Sequence, residues 1–362
     1  MAYTTIDDSK LFFNTINYSG TGSSNAITGV GFAPDMVWLK TTSNGQKPCV
    51  FDTVRGVDEC IFPSEDTAET DFSGTGLTVF GSDGFTVVSD TDVNGSGMAF
   101  SSWNWKGGTT TGKPTVGETI TPSGYSYSAT SGVGMYKYTG TGSNGAIAHG
   151  LNSAPEVVMV KRLDVAGNWM VGGKFQDEGA SGDYYMNLNT SSANVSNATV
   201  WNSTLPSSTL IYQGTYAANN YAASTYGMYA FAPVKGFSQF GTYTGNGNAD
   251  GSFVHTGFEP ELIIAKNRDS GGPASYGWTM IGNTFGMGGS TSSNPSYNEL
   301  TLSLFADQLT VAATGNPVDF LSNGFKWRGT GVASNQSTSP FIYMAFARNP
   351  FTNSSGIPGN AR

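Results

Sequence analysis

Only two cysteines, Cys49 and Cys60, occur in 362 residues. That is too few for a disulfide framework, and they read as free thiols in a reducing compartment, with a bridge between neighbouring strands as the alternative. Histidine is equally scarce, with His149 and His255 alone, so a Cys/His metal centre has little to draw on. Charged residues make up 12% of the chain, and Asp and Glu (26) outnumber Lys and Arg (17) for a net charge of −9. With no basic run to neutralise phosphates, nucleic acid is not the expected partner. No stretch approaches the roughly 18 apolar residues of a membrane span, and "MAYTTIDDSKLFF" lacks the basic-then-apolar order of a signal peptide. The expectation is a soluble protein made in a cytoplasm, without membrane insertion.

What is abundant is glycine, 49 residues, together with 13% aromatics and much Ser, Thr and Asn. A disordered chain would carry few aromatics, whereas short strands joined by many tight turns need this mixture. The expected class is all-β.

One segment occurs three times. Tyr18 opens "YSGTGSSNAITGVGFAPDMVWLK", Tyr138 opens "YTGTGSNGAIAHGLNSAPEVVMVK" and Tyr243 opens "YTGNGNADGSFVHTGFEPELIIAK". The Tyr-to-Pro spacings are 16, 17 and 17 (Pro34, Pro155, Pro260), and each Pro precedes a Lys by six (Lys40, Lys161, Lys266). In the middle copy Gly140, Gly142 and Gly145 satisfy G-x-G-x-x-G. A dinucleotide loop needs a helix to open directly after it, and none is legible here. Asn25 and Asp250 replace the third glycine in the other copies. The pattern reads as a turn between strands that uses Gly where φ is positive.

Each unit also ends on an aromatic, small-residue strand: "AFSSWNWKGG", "MYAFAPVKG" and "YMAFARNPF". These landmarks place units at residues 1–108, 133–236 and 237–362, with residues 109–132 as an extended Gly/Thr/Pro-rich linker. The second and third units meet almost without a spacer. "DMVWLK", "EVVMVK" and "ELIIAK" are apolar on both faces and read as covered central strands. Trp103 and Trp105 alternate with Ser102 and Asn104, as in a strand with one wet face. Three tandem, jelly-roll-like β-sandwiches in a row, built from diverged internal repeats, satisfy these patterns.

Sites that could carry chemistry are few. The two histidines have no nucleophile motif beside them and read as strand-end hydrogen-bonding residues. Asp90, Asp92 and Asn94, followed by Gly95, begin the D-x-D-x-N-G pattern of a calcium loop, but the twelfth position is Ser101 and not Glu. A polar turn held by its own Asp side chains is the first reading, and a structural calcium the second. Acids such as Glu65, Asp66, Asp71 and Glu178 could serve a glycosidase only as a pair across a cleft, and nothing singles them out. The most suggestive stretch, residues 211–231, carries Tyr212, Tyr216, Tyr221 and Tyr226 among Ala, Asn, Ser and Gly, a composition suited to contact surfaces. In the competing reading Tyr229 and Phe231 are core and only Tyr216 and Tyr221 are exposed.

The opening to Lys40, with "FDTVRG", "SDGFTV" and "WNWKGG", resembles a family of virion structural proteins of marine and cyanobacterial tailed phages. The likeness is close over the first unit; the later units keep the Tyr-to-Lys portion but lose "FDTVRG" and "WNWKGG". It implies a non-enzymatic tail-fibre-like or adhesin protein without catalytic residues or cofactor, assembled in the host cytoplasm and carried on the virion. Implied partners are other virion proteins, further copies of the chain, most simply as a trimer, and a host surface glycan or protein. A capsid decoration or head fibre is the alternative, and a glycan depolymerase a more distant one. Three units also permit pseudo-threefold packing within one chain.

Overall fold

Residues apolar on both faces put Met36–Thr41, Val157–Arg162 and Phe258–Asn267 inside three large antiparallel sheets. The computed structural model describes residues 3–176, 181–269, 271, 277–284 and 299–358. Of the acids named above, Glu178 lies outside them. In each large sheet the central strand pairs on one side with the end-of-unit strand (Ala99–Trp105, Thr225–Phe231, Pro340–Pro350) and on the other with Cys49–Asp52, Met170–Gly172 or Thr279–Gly282. The strand that carries the repeated tyrosine (Phe13–Ser19, Val133–Thr139, Ser238–Thr244) lies beyond the end-of-unit strand. The strand order is therefore the same three times, and the all-β expectation holds. Two single helical turns, α1 (Thr91–Asn94) and α2 (Ala217–Asn220), occupy matching places in the first two units.

Both faces of every central strand are covered, each by something different. One face packs on further strands of the same unit, a separate small sheet in the first two units and the far strands of the same eight-stranded sheet in the third: Val37 and Leu39 with Ile27, Leu77 and Phe85; Val158 and Val160 with Ile147 and Ile211; Ile263 and Ala265 with Val254, Phe325 and Trp327. These pairings are more uneven than the two matched sheets of a jelly roll. The other face, Met36 and Trp38, Val157 and Met159, Leu262 and Ile264, joins one core shared by all three units. Trp105 sits in it with Phe13, Phe231 and Phe346 at ring-centroid distances of 5.0, 6.2 and 5.4 Å.

The units close on one another as a ring and do not stand in a row. Ala312 N–H donates to Thr42 O at 3.1 Å, Glu69 N–H to Leu163 O at 3.0 Å, and Asn194 N–H to Arg268 O at 2.7 Å. The three acceptors each lie two residues after a repeated lysine, so third unit binds first, first binds second, and second binds third. Indole N–H groups reinforce two of the seams: Trp169 donates to Phe62 O (2.9 Å) and Trp278 to Asn187 O (3.0 Å). In the first unit Pro48 stands at the equivalent place.

Several local expectations are corrected. Ser102 and Asn104 do not face water: both are fully buried, with Ser102 Oγ donating to Ile16 O and Asn104 Nδ2 to Asn14 O. The span 109–132 is not an extended linker throughout. Gly124–Ser128 pairs with Val133–Thr139, Lys113 and Glu118 form a buried ion pair, and Thr119 and Ile120 donate to Ala146 O. Cys49 and Cys60 are free and buried.

The repeated lysines are fully buried as well. Lys40 Nζ reaches across a seam to Gln308 O (2.6 Å), and Lys161 Nζ donates to Arg162 O (2.8 Å) and, across a seam, to Asp66 O (3.3 Å). Lys266 Nζ donates to Asn267 O (2.7 Å). Burial pulls each ammonium down to about 8. Asp307, near Lys40 and Lys266, is pushed up to about 6, so burial outweighs the mutual attraction on both sides. The unfolded chain holds these lysine protons up to about pH 10, while the folded chain begins releasing them near pH 8. Stability from the lysines should therefore rise between these values. Asp307 acts in the acid range, where its contribution is lost as pH climbs through about 6. Urea midpoints at about pH 7.5 and about pH 9.5 should separate more for the wild type than for Lys40→Met.

Candidate functional site

The glycine-rich turn is a structural device in all three units. Asn220 is fully buried and organises it: its Oδ1 accepts from Thr141 N–H (2.8 Å), its Nδ2 donates to Ser143 O (2.7 Å) and Gly214 O (2.6 Å), and its carbonyl accepts from Gly142 N–H (2.9 Å). Asn94 and Asn335 repeat these bonds to Thr21, Ser23 and Gly22, and to Asn246, Asn248 and Gly247. Gly142 has φ of 71°, and a Cβ on Gly140 would stand 2.3 Å from Tyr221 O. The hydroxyls of Tyr18, Tyr138 and Tyr243 donate to the carbonyl just before each asparagine. The Thr141 and Gly142 N–H groups of the loop thus point inward to Asn220 and not outward to a pyrophosphate. Asn220→Ala strands several buried groups and should lower stability by about 1–3 kcal/mol in chemical denaturation.

The correspondence of Asn94 with Asn220 places the calcium-turn and tyrosine candidates at one location in the fold. Asp90 is the N-cap of α1 and Tyr216 the N-cap of α2, so Asp90, Asp92 and Asn94 correspond to Tyr216, Ala218 and Asn220. In the first unit Asp90 Oδ1 accepts from Asp92 N–H (2.8 Å) and Asp92 Oδ1 from Lys47 N–H (3.0 Å), while Asn94 serves the turn just described. Burial raises the Asp92 pKa, and Asp90 adds to the effect. Lys47 pairs with Glu65 (3.1 Å) and lies over the Phe62 ring (4.6 Å). Each member of the proposed calcium turn is therefore committed to a different backbone group. Among the described residues no cluster of three His, Cys, Asp or Glu side chains is arranged to hold a metal.

In the second unit the location is aromatic. Tyr216 and Tyr185 are half-buried, their centroids 6.1 Å apart, and they line a cavity of about 300 Å³ with Arg162, Asn168 and Asn187. Arg162 lies over Tyr221, 5.2 Å from its centroid, and Tyr221 is 55% exposed. The guanidinium is held by Asp164 (Nε to Oδ1, 2.9 Å) and Ser224 Oγ (2.6 Å). Asp164 lies below its ordinary range, the bonds from Arg162 and Ser224 outweighing its burial. Tyr212 is half-buried on the strand Leu210–Gln213, outside this cavity.

Tyr226 is a correction to the sequence reading. It is fully buried, stacked on Tyr138 at 5.2 Å, and its hydroxyl accepts from Tyr221 N–H and donates to Ala217 O. Tyr229 and Phe231 are core, as the competing reading expected. Tyr185 and Arg162 were missed. Arg162 did leave a signal: it follows the repeated lysine where the other units have Thr41 and Asn267. His149 is buried and neutral in character, its pKa lowered by burial, with Nδ1 accepting from Leu151 N–H and Nε2 facing Ser207 O. His255 is exposed.

The third unit keeps the cavity without the pair of tyrosines. A space of about 300 Å³ is lined there by Ser303, Phe305, Gly331, Val332 and Ala333, the counterparts of Tyr185, Asn187, Tyr216, Ala217 and Ala218. Residues 8–350 match a family model described as a domain of unknown function (DUF7483). No curated protein and no solved structure matches the chain.

Proposed function

We propose that the chain, which belongs to the DUF7483 family, a domain of unknown function, is a non-enzymatic structural component of a phage particle, a tail fibre or adhesin whose rim contacts the host surface. The observation that carries this reading is the cyclic set of seam hydrogen bonds around a shared core. Such a ring is a platform on which one location differs from unit to unit, charged in the first, lined by paired tyrosines in the second and by Gly331 and Phe305 in the third. Rigid scaffolds that display variable contact positions suit recognition, and several copies on one particle would strengthen weak individual contacts.

A capsid decoration or head fibre is the second reading, favoured by the same threefold-like arrangement, which fits a position on a symmetric shell. The partners would then be shell proteins. In either setting the chain would work alongside further copies of itself, and a trimer would show three times the monomer mass in sedimentation.

The experiment is adsorption blocking. Purified protein, titrated onto host cells, should block adsorption of the parent phage saturably. Labelled antibody bound to the particle without any blocking would favour decoration, and absence from purified particles would overturn both readings.

A further inference from the structure

We propose that the cavity beside α2 in the second unit binds an uncharged hexopyranose through the rings of Tyr185 and Tyr216. The inference rests on the recognition reading above and gives its ligand class. The first support is what Tyr216 replaces. At the matching N-cap in the first unit, Asp90 hydrogen-bonds Asp92 N–H, whereas Tyr216 makes no side-chain cap bond. Asp is among the best N-caps, so the fold's own preference does not account for tyrosine. The third unit makes the same point from the other side: its cavity persists with Gly331 at that position. The space recurs in two units; the third has one ring in its lining, Phe305, and the facing pair of tyrosines belongs to the second.

The chemistry of the lining selects the ligand. A pyranose presents an apolar C–H face and a rim of hydroxyls. Tyr185 and Tyr216, tilted by 38° and half-buried, offer ring surface for the first. Asn168 offers an amide for the second, while Asn187 lines the cavity with its Nδ2 already donating to Trp169 O (3.0 Å). Asn168 accepts from Asn189 through its Oδ1 (2.9 Å), and its amide nitrogen has no partner among the described residues. Among the described lining residues the one cation, Arg162, is already paired with Asp164 and fixed over Tyr221. An anionic sugar would therefore meet no spare positive charge, on a chain whose net charge is −9. The cavity, about 300 Å³, lies at the small end of ligand pockets, suited to one ring of a longer glycan.

The test is saturation-transfer NMR and titration with methyl glycosides of glucose, mannose, galactose and N-acetylneuraminic acid. At least one neutral glycoside should bind, with an affinity weakened about tenfold or more by Tyr216→Ala and kept within about twofold by Tyr216→Phe and by Tyr212→Ala. Tyr216→Asp guards against a folding artefact, because it installs the cap of the first unit; it should stay folded and lose binding. Failure of all three neutral glycosides to bind, binding that survives Tyr216→Asp, or preference for the sialoside would overturn the proposal. Adsorption blocking scored on the same wild-type protein separates the outcomes. Blocking without sugar binding defeats this site and leaves the adhesin reading standing, whereas sugar binding without location on the particle does the reverse.

Discussion

Arg55→Met is expected to destabilise the protein by about 3–5 kcal/mol, measured by guanidinium denaturation. Arg55 belongs to "FDTVRG", and its side chain is almost wholly buried at the seam between the first and second units. Nε bonds Asp52 and the Tyr229 hydroxyl (3.1 Å), Nη1 bonds Glu59 O (2.8 Å) and Glu69 Oε1 (2.9 Å), and Nη2 bonds Val50 O (2.8 Å). Burial works against the charge, yet Asp52, Tyr229 and Glu69 hold the guanidinium well above its ordinary pKa. Removing it leaves the Asp52 carboxylate buried with no cation, and that desolvated charge is what destabilises. The double variant Arg55→Met/Asp52→Asn should therefore lose less than the two single changes added together. Losses that simply add would show that the pair is not coupled.

Trp105→Ala should lower stability by about 3–5 kcal/mol through the cavity it opens in the shared core. The second half of the prediction concerns cooperativity. Since Trp105 touches Phe13 of its own unit, Phe231 of the second and Phe346 of the third, the units should melt in one calorimetric transition, and the variant should shift that whole transition down. Separate endotherms, only one of them moved, would mean that the three sandwiches are independent modules.

The sequence made the repeat legible because its signals are local. Tyr, Pro and Lys at fixed spacing, and apolar residues on both faces of "DMVWLK" and its kin, identify three equivalent central strands. What covers their second face is another unit, and no local pattern encodes that. For the same reason the strand-end lysines read only as landmarks of the repeat, although Lys40 bonds a carbonyl 268 residues away. Ser102 and Asn104 read as wet because short polar side chains satisfied by neighbouring backbone look the same as hydrated ones. Of the candidate site, Tyr216 and Tyr221 were legible from composition. Tyr185 was not, since it meets Tyr216 only through the fold. Tyr226 could have been excluded by aligning the units: Tyr18 stacks on Phe100, Tyr138 on Tyr226 and Tyr243 on Phe341, so its position is a core ring in every copy.

Closure of the ring also sets a timetable for synthesis. Thr42 waits for Ala312, Lys40 for Gln308 and Asp7 for Ser354, so the first unit cannot complete its contacts until the third has left the ribosome. Until then Met36, Trp38, Trp103 and Trp105 form a naked apolar sheet face. Contacts this distant in sequence make for slow folding, and a message cut short after the first unit would yield a sticky fragment rather than a smaller working protein.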